Sequence, residues 1–178
     1  IDLVISLVIV FVVCESTSHV CAKIAHAMPS TESSYITGLI LFFIMPPSDS
    51  LRGALLLALA CIFAIASKYV FAVNKRHVFN PAAMGAFLIS LTGLTGASWW
   101  VGTPVLLPFV FILVLVMVRK IRRFSLFLTG LGVAIVSILF FTQDLTIIPS
   151  FFLFWPLVFF CGVMLTEPAT APPKHSSQ

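Results

Sequence analysis

Polar side chains are scarce in this chain, and three places gather them inside otherwise apolar sequence. The first is Thr37-Gly38, in a run that stops at Pro46-Pro47. The second is His77-Val78-Phe79-Asn80-Pro81-Ala82-Ala83, preceded by Lys68, Lys75 and Arg76. The third is Thr166-Glu167-Pro168-Ala169-Thr170, which sets an acid at the end of an apolar run. Such places mark interrupted helices. A helix that starts inside a low-dielectric layer presents unsatisfied N–H groups and the positive end of its dipole, so it can hold a polar or anionic group. Asn80 suits the N-cap of such a helix. Pro81 suits its first position, where no N–H is needed.

Each place also has a plain structural reading. Pro46-Pro47 serves equally well as a loop between two helices. Asn80-Pro81 is a cap whatever else it does. His77, beside Lys75 and Arg76, reads first as an interfacial residue and only second as a ligand. Glu167 fits the headgroup layer as well as it fits a functional acid. His19, Lys23 and His26 share one helical face, but a metal there would lack a third good ligand, and the face reads as solvated. No catalytic residue and no metal site is assigned. Trp99-Trp100 read as anchors in a membrane-interface belt, and the Phe residues of the last apolar run as packing or lipid-facing groups.

The elements that must position these residues follow from composition. The chain has 178 residues, of which 60% are hydrophobic and 9% charged. Soluble domains carry about 25% charged residues, so a soluble globular enzyme is excluded. A disordered chain is excluded by the 18 Phe. The formal net charge of +4 is too scattered for a nucleic-acid partner. Cys14, Cys21, Cys61 and Cys161 stand singly and read as small buried hydrophobes. The expected fold is all-α: a polytopic transmembrane helical bundle with broken or half-helices.

Seven apolar segments are expected, near 1–22, 35–45, 51–67, 80–94, 103–118, 124–142 and 147–165, giving about six to seven membrane segments. The run Ile1 to Cys14 is too short to cross about 30 Å of hydrocarbon by itself. It either continues through Val20-Cys21-Ala22 or starts earlier. Tyr35 to Met45 is half a membrane long and reads as a half-helix or one arm of a re-entrant hairpin. Residues 1–178 are read as a single membrane domain cut at both ends from a longer protein. Lys and Arg concentrate on cytoplasmic ends. Placing 68–77 inside brings Lys23, Arg119 to Arg123 and Lys174 to the same side, with Arg52 alone opposite and Asp49 and Asp144 outside.

Three stretches, taken in order, resemble one family of membrane proteins. They are Ser33-Ser34-Tyr35-Ile36-Thr37-Gly38-Leu39-Ile40-Leu41 closing at Met45-Pro46-Pro47; Ser67-Lys68-Tyr69 through Arg76-His77-Val78-Phe79-Asn80-Pro81-Ala82; and Met164-Leu165-Thr166-Glu167-Pro168-Ala169-Thr170-Ala171-Pro172. The family is RnfD/NqrB, whose members are membrane components of the Rnf electron-transport complex and of the sodium-pumping NADH:quinone oxidoreductase. The third stretch is similar to its Met-Ala-Thr-Asp-Pro signature, with Glu for Asp. The resemblance implies a urea-transporter-like partial inverted repeat and a flavin cofactor, FMN or riboflavin. It further implies electron flow from an NAD(P)H or ferredoxin donor, coupling to ion movement, and a multi-pass place in a prokaryotic cytoplasmic (inner) membrane. Thr37, Gly38, Lys68, His77, Asn80, Pro81, Thr166 and Glu167 would bind the cofactor. Partners would be other electron-transport subunits or a fused FAD/NAD reductase domain, besides the lipid bilayer, with no nucleic acid.

Two departures matter. The stretch from Asn80-Pro81 to Gly102 is too short for the family's long flavin-bearing loop. Thr95-Gly96-Ala97-Ser98 echoes the family's Ser-Gly-Ala-Thr attachment motif but reads first as a helix-end turn, so covalent attachment is not expected. Trp100-Val101-Gly102-Thr103 matches the family's Ile-Gly-Glu segment with Thr103 in place of its Glu. The chain carries no Gly-rich strand-turn-helix unit for a nucleotide, so it would act as a component of an oxidoreductase rather than as a complete enzyme. The alternative function is a small-solute channel or transporter of urea-transporter-like fold without redox activity.

Overall fold

A computed structural model describes residues 1–73, 76–101, 103, 105–153 and 157–167. Lys75, Gly102, Lys174 and Pro168 to Pro172, which figured in the expectations above, lie outside the described residues. The chain is mostly helical. It divides into two compact units, Ile1–Trp100 and Val101–Gln178.

The first unit contains α1 (Asp2–Ile24), α2 (Thr31–Ile44), α3 (Leu51–Val70), a two-residue ladder β1 (Ala72–Val73) with β2 (Arg76–His77), and α4 (Pro81–Leu91). The helix α1 runs unbroken through Glu15-Ser16-Thr17-Ser18-His19 because polar groups there find partners. Ser16 Oγ donates to the Val12 carbonyl at 2.7 Å, a bond that keeps a hydroxyl satisfied inside an apolar helix. Ser18 Oγ lies 3.2 Å from the Tyr69 hydroxyl. At the other end, the Ser48 N–H donates to Ser6 Oγ at 2.8 Å.

These two ties fix direction: the start of α1 meets the residues before α3, and its end meets the end of α3. The two helices therefore run parallel. The helix α2 packs on α1 and runs the other way, with Tyr35 edge-on to Phe11 at 5.2 Å between ring centroids. A β-carbon on Gly38 would stand 3.2 Å from the Val10 carbonyl oxygen. The helix α4 returns along α3. There Gly85 admits a close backbone approach, since a β-carbon would come within 2.6 Å of both the Ala60 carbonyl oxygen and Ala64 Cβ. The core of this unit mixes large and small side chains: Val10, Leu41, Ile65 and Ile89 are fully buried beside Cys14, Ala60, Cys61, Ala64 and Ala82.

The second unit contains α5 (Leu107–Ile121), α6 (Phe124–Thr142), a 3₁₀ turn (Leu145–Ile147), α7 (Ile148–Leu153), α8 (Leu157–Phe159) and a π-helical turn (Phe160–Met164). Its core is Val114, Val118, Phe127, Val158 and Cys161. Gly162 lets the π turn lie directly against Val114, and Gly130 accepts Leu165 in the same way. The end of α5 is a Schellman arrangement: the Arg123 N–H donates to the Val118 carbonyl (3.2 Å) and the Arg122 N–H to the Arg119 carbonyl (3.1 Å). Arg122 takes the left-handed position at φ 53°. Glycine is usual there, and a β-carbon costs about 1 kcal/mol.

Among the described residues three helices are long and apolar enough to cross a membrane: α1, α3 and α6, with mean hydropathies of 2.1, 2.0 and 2.4. The helices α2 and α4 are apolar but shorter. Several boundaries differ from those expected. The helix α1 reaches Ile24, α2 begins at Thr31 rather than Tyr35, and α5 begins at Leu107 rather than near 103. His26 falls beyond α1 with φ 48°, so the His19-Lys23-His26 face does not form as one helical face.

Candidate functional site: the Lys68 end of the first unit

The helix α2 begins as Ser30-Thr31-Glu32-Ser33-Ser34, residues that favour a first turn because their short side chains bond nearby backbone. Ser34 Oγ donates to the Ser30 carbonyl at 2.9 Å. Ser30, the N-cap, makes no side-chain cap bond, so it leaves the first-turn amides of Thr31, Glu32 and Ser33 to other acceptors. Thr31 Oγ1 donates to Glu15 Oε1 at 2.9 Å, and His19 Nε2 lies 3.0 Å from the same oxygen. The other carboxylate oxygen, Oε2, is buried without a hydrogen-bond partner among the described residues. Glu15 lies about 13 Å along the α1 axis from Ile24. The start of α2 is therefore set back alongside the interior of α1.

The last turn of α3 supplies Lys68. Its ammonium donates to the Ser33 carbonyl at 2.8 Å and to Ser33 Oγ at 2.9 Å. Thr37 Oγ1, buried, donates to the same carbonyl at 2.8 Å. One carbonyl thus joins Lys68 and Thr37. Asn80 caps α4 through Oδ1, which accepts the Ala83 N–H at 3.1 Å, and Pro81 takes the first helical position. His77 pairs with Ala72 across the short ladder and is half-buried. Phe71 and Phe79 meet edge-on at 5.8 Å.

The sequence-derived residues separate as follows. Lys68 is bonded to the first turn of α2, and Asn80 caps α4 just beyond the ladder that follows α3. Thr37 and Gly38 lie inside α2, where their amides belong to the helix rather than to its open start. Pro46-Pro47 lie at the opposite end of α2, beside a concavity of about 240 Å³ lined also by Asp49, Arg52, Leu94 and Thr95. The loop carrying Thr95-Gly96-Ala97-Ser98 packs on that end of α2. The Ser98 N–H donates to the Ile44 carbonyl at 2.7 Å, and Trp100 Nε1 to the Phe42 carbonyl at 2.7 Å. Trp100 is thereby held by protein, whatever it also does at an interface. Thr166 and Glu167 belong to the second unit. Thr166 is fully buried and donates to the Gly162 carbonyl at 2.6 Å, while Glu167 is half-buried.

Ser33, Glu15, His19 and Thr31 were not among the expected site residues. The signal for Glu15 was present: an acid inside a 23-residue apolar helix must find donors. The signal for Ser33 was not, because its partner lies 35 residues away. Among the described residues no group of three or more His, Cys, Asp or Glu forms that could hold a metal ion. Comparison with protein-family models, with curated proteins and with solved structures returns no match.

Proposed function

We propose that the chain is a membrane subunit or module of a flavin-dependent electron-transport oxidoreductase, similar to the RnfD/NqrB family. On this reading the shorter helices complete a bundle of six to seven segments with a urea-transporter-like repeat, in a prokaryotic cytoplasmic membrane. The cytoplasmic side is the end carrying Lys23 and Lys68. The observation that carries the proposal is the Lys68–Ser33–Thr37 linkage, because it joins residues of two of the three resembling stretches.

The residues there fit the phosphate or an anionic ring edge of a flavin in two respects. Lys68 provides a cation at the start of α2, and Ser30 leaves the first-turn amides of that helix open to an acceptor. When bound, the flavin supplies the redox chemistry. The chain's own residues hold and orient it: Lys68 and the first turn of α2 meet its negative charge, Asn80 and Pro81 fix the start of α4, and His77 borders the same end. Other electron-transport subunits, or a fused FAD/NAD reductase domain, would supply and remove electrons, and ion movement would be coupled to that flow.

The test is purification of the full-length membrane protein, followed by flavin absorbance and fluorescence. Wild type should retain flavin. Asn80→Leu should lose it while still inserting, and Asn80→Asp, which keeps the cap but adds negative charge, should lower retention without loss of fold. A purified protein with no flavin and no redox activity sinks the proposal. Solute flux into liposomes without redox dependence would favour the small-solute channel instead.

A further inference from the structure

The turn between α5 and α6 carries a second, independent feature. Arg119, Lys120 and Arg122, together with Phe124 and Ser125, line an open concavity of about 700 Å³. All five side chains are exposed. The helix α6 is apolar enough to cross a membrane and is only 6% buried over its most apolar window, so its start lies where hydrocarbon gives way to headgroups. Met117, Leu113 and Leu128 are exposed on the two helices leading away from the turn. The concavity therefore combines three cations at one end with apolar flanks beyond it.

The backbone sets where the turn puts Arg122. Arg122 occupies the left-handed cap of α5, a position that glycine fills at no steric cost. His26 after α1 and Gln143 after α6 take the same left-handed position, which ends each helix and turns the chain. From the charge and the apolar flanks, we propose that the α5–α6 turn binds the phosphate headgroup of an anionic phospholipid, with Arg119, Lys120 and Arg122 as its cation set and Phe124 against the upper acyl chain. Basic juxtamembrane clusters recognise anionic headgroups in this way. The inference needs only the membrane reading of α6 and does not rest on the flavin.

The experiment places the full chain in nanodiscs of phosphatidylcholine, with and without phosphatidylglycerol, and measures co-purified lipid by native mass spectrometry. Wild type should enrich phosphatidylglycerol over its bulk fraction. Arg122→Gly removes the cation while relieving the left-handed strain, so the fold is kept or strengthened. It should weaken the enrichment about fivefold, and Arg119→Gln a similar amount again. Arg122→Lys should retain it. No enrichment in wild type, or enrichment unchanged in Arg122→Gly, overturns the proposal. Displacement of the lipid by millimolar inorganic phosphate would also overturn it, by making the site one for a free anion.

Discussion

Gly85 stands so close to Ala64 that a β-carbon added to it would lie 2.6 Å from the β-carbon of Ala64. The second obstacle is backbone, the Ala60 carbonyl, which cannot swing aside as a long side chain would. Gly85→Ala must therefore push α4 off α3. A destabilisation of about 1–3 kcal/mol is expected, read as a lower unfolding midpoint in detergent. Gly132→Ala is the control: nothing lies within 4 Å of its added β-carbon, and inside α6 it should be neutral or mildly stabilising.

Glu15 couples α1 to the first turn of α2 through Thr31. Thr31→Ala and Glu15→Leu should each destabilise the protein. The double variant should fall short of the sum by about 0.5–1.5 kcal/mol, the worth of one hydrogen bond. A double-mutant cycle in urea or by thermal melting measures it. Strict additivity would mean that the contact carries no stability.

Asp144 starts the 3₁₀ turn after α6. The hydroxyl and the backbone N–H of Thr146 both donate to its Oδ1, at 2.7 and 2.8 Å, and hold its carboxyl below the usual range. A carboxyl lowered in the folded state stabilises the turn above its unfolded value, about 3.9. That contribution disappears as pH falls through the lower folded value. Protection of the Thr146 amide against hydrogen exchange, corrected for intrinsic rates, should be flat above about pH 5 and decline below about pH 4. In Asp144→Asn the profile should lose this acid limb.

The four thiols differ in access. Cys14, Cys61 and Cys161 are buried, and Cys21 is half-exposed. A membrane-permeant maleimide should modify Cys21 first, and the other three only after denaturation. Peptide mapping by mass spectrometry gives the order.

Much of the helical layout was legible from apolar run length. The runs ending at Ser67 and Thr142 became α3 and α6 nearly as read, and Asn80-Pro81 opened α4 by side-chain chemistry that needs no distant partner. The start of α2 shows the limit. Thr31 to Ser34 look like loop by composition, yet they are helical, with Glu15 bonded to Thr31 and Lys68 to Ser33. Such partners lie tens of residues off, and nothing local announces them. The same holds for the site: Lys68 and Asn80 were visible as residue types, whereas the sharing of one Ser33 carbonyl by Lys68 and Thr37 is a product of tertiary packing. Arg122 in a glycine's conformation was likewise hidden, since the basic run alone says charge and not geometry.

The parallel pairing of α1 with α3 bears on how the chain is made. Ser6 waits for Ser48 and Ser18 for Tyr69, so α1 cannot complete its contacts until α3 has been synthesised. During that interval its hydroxyls and the Glu15 carboxylate must be tolerated by the translocon or by water. Cotranslational assembly of this unit is therefore expected in one late step, once residue 69 has emerged, rather than helix by helix.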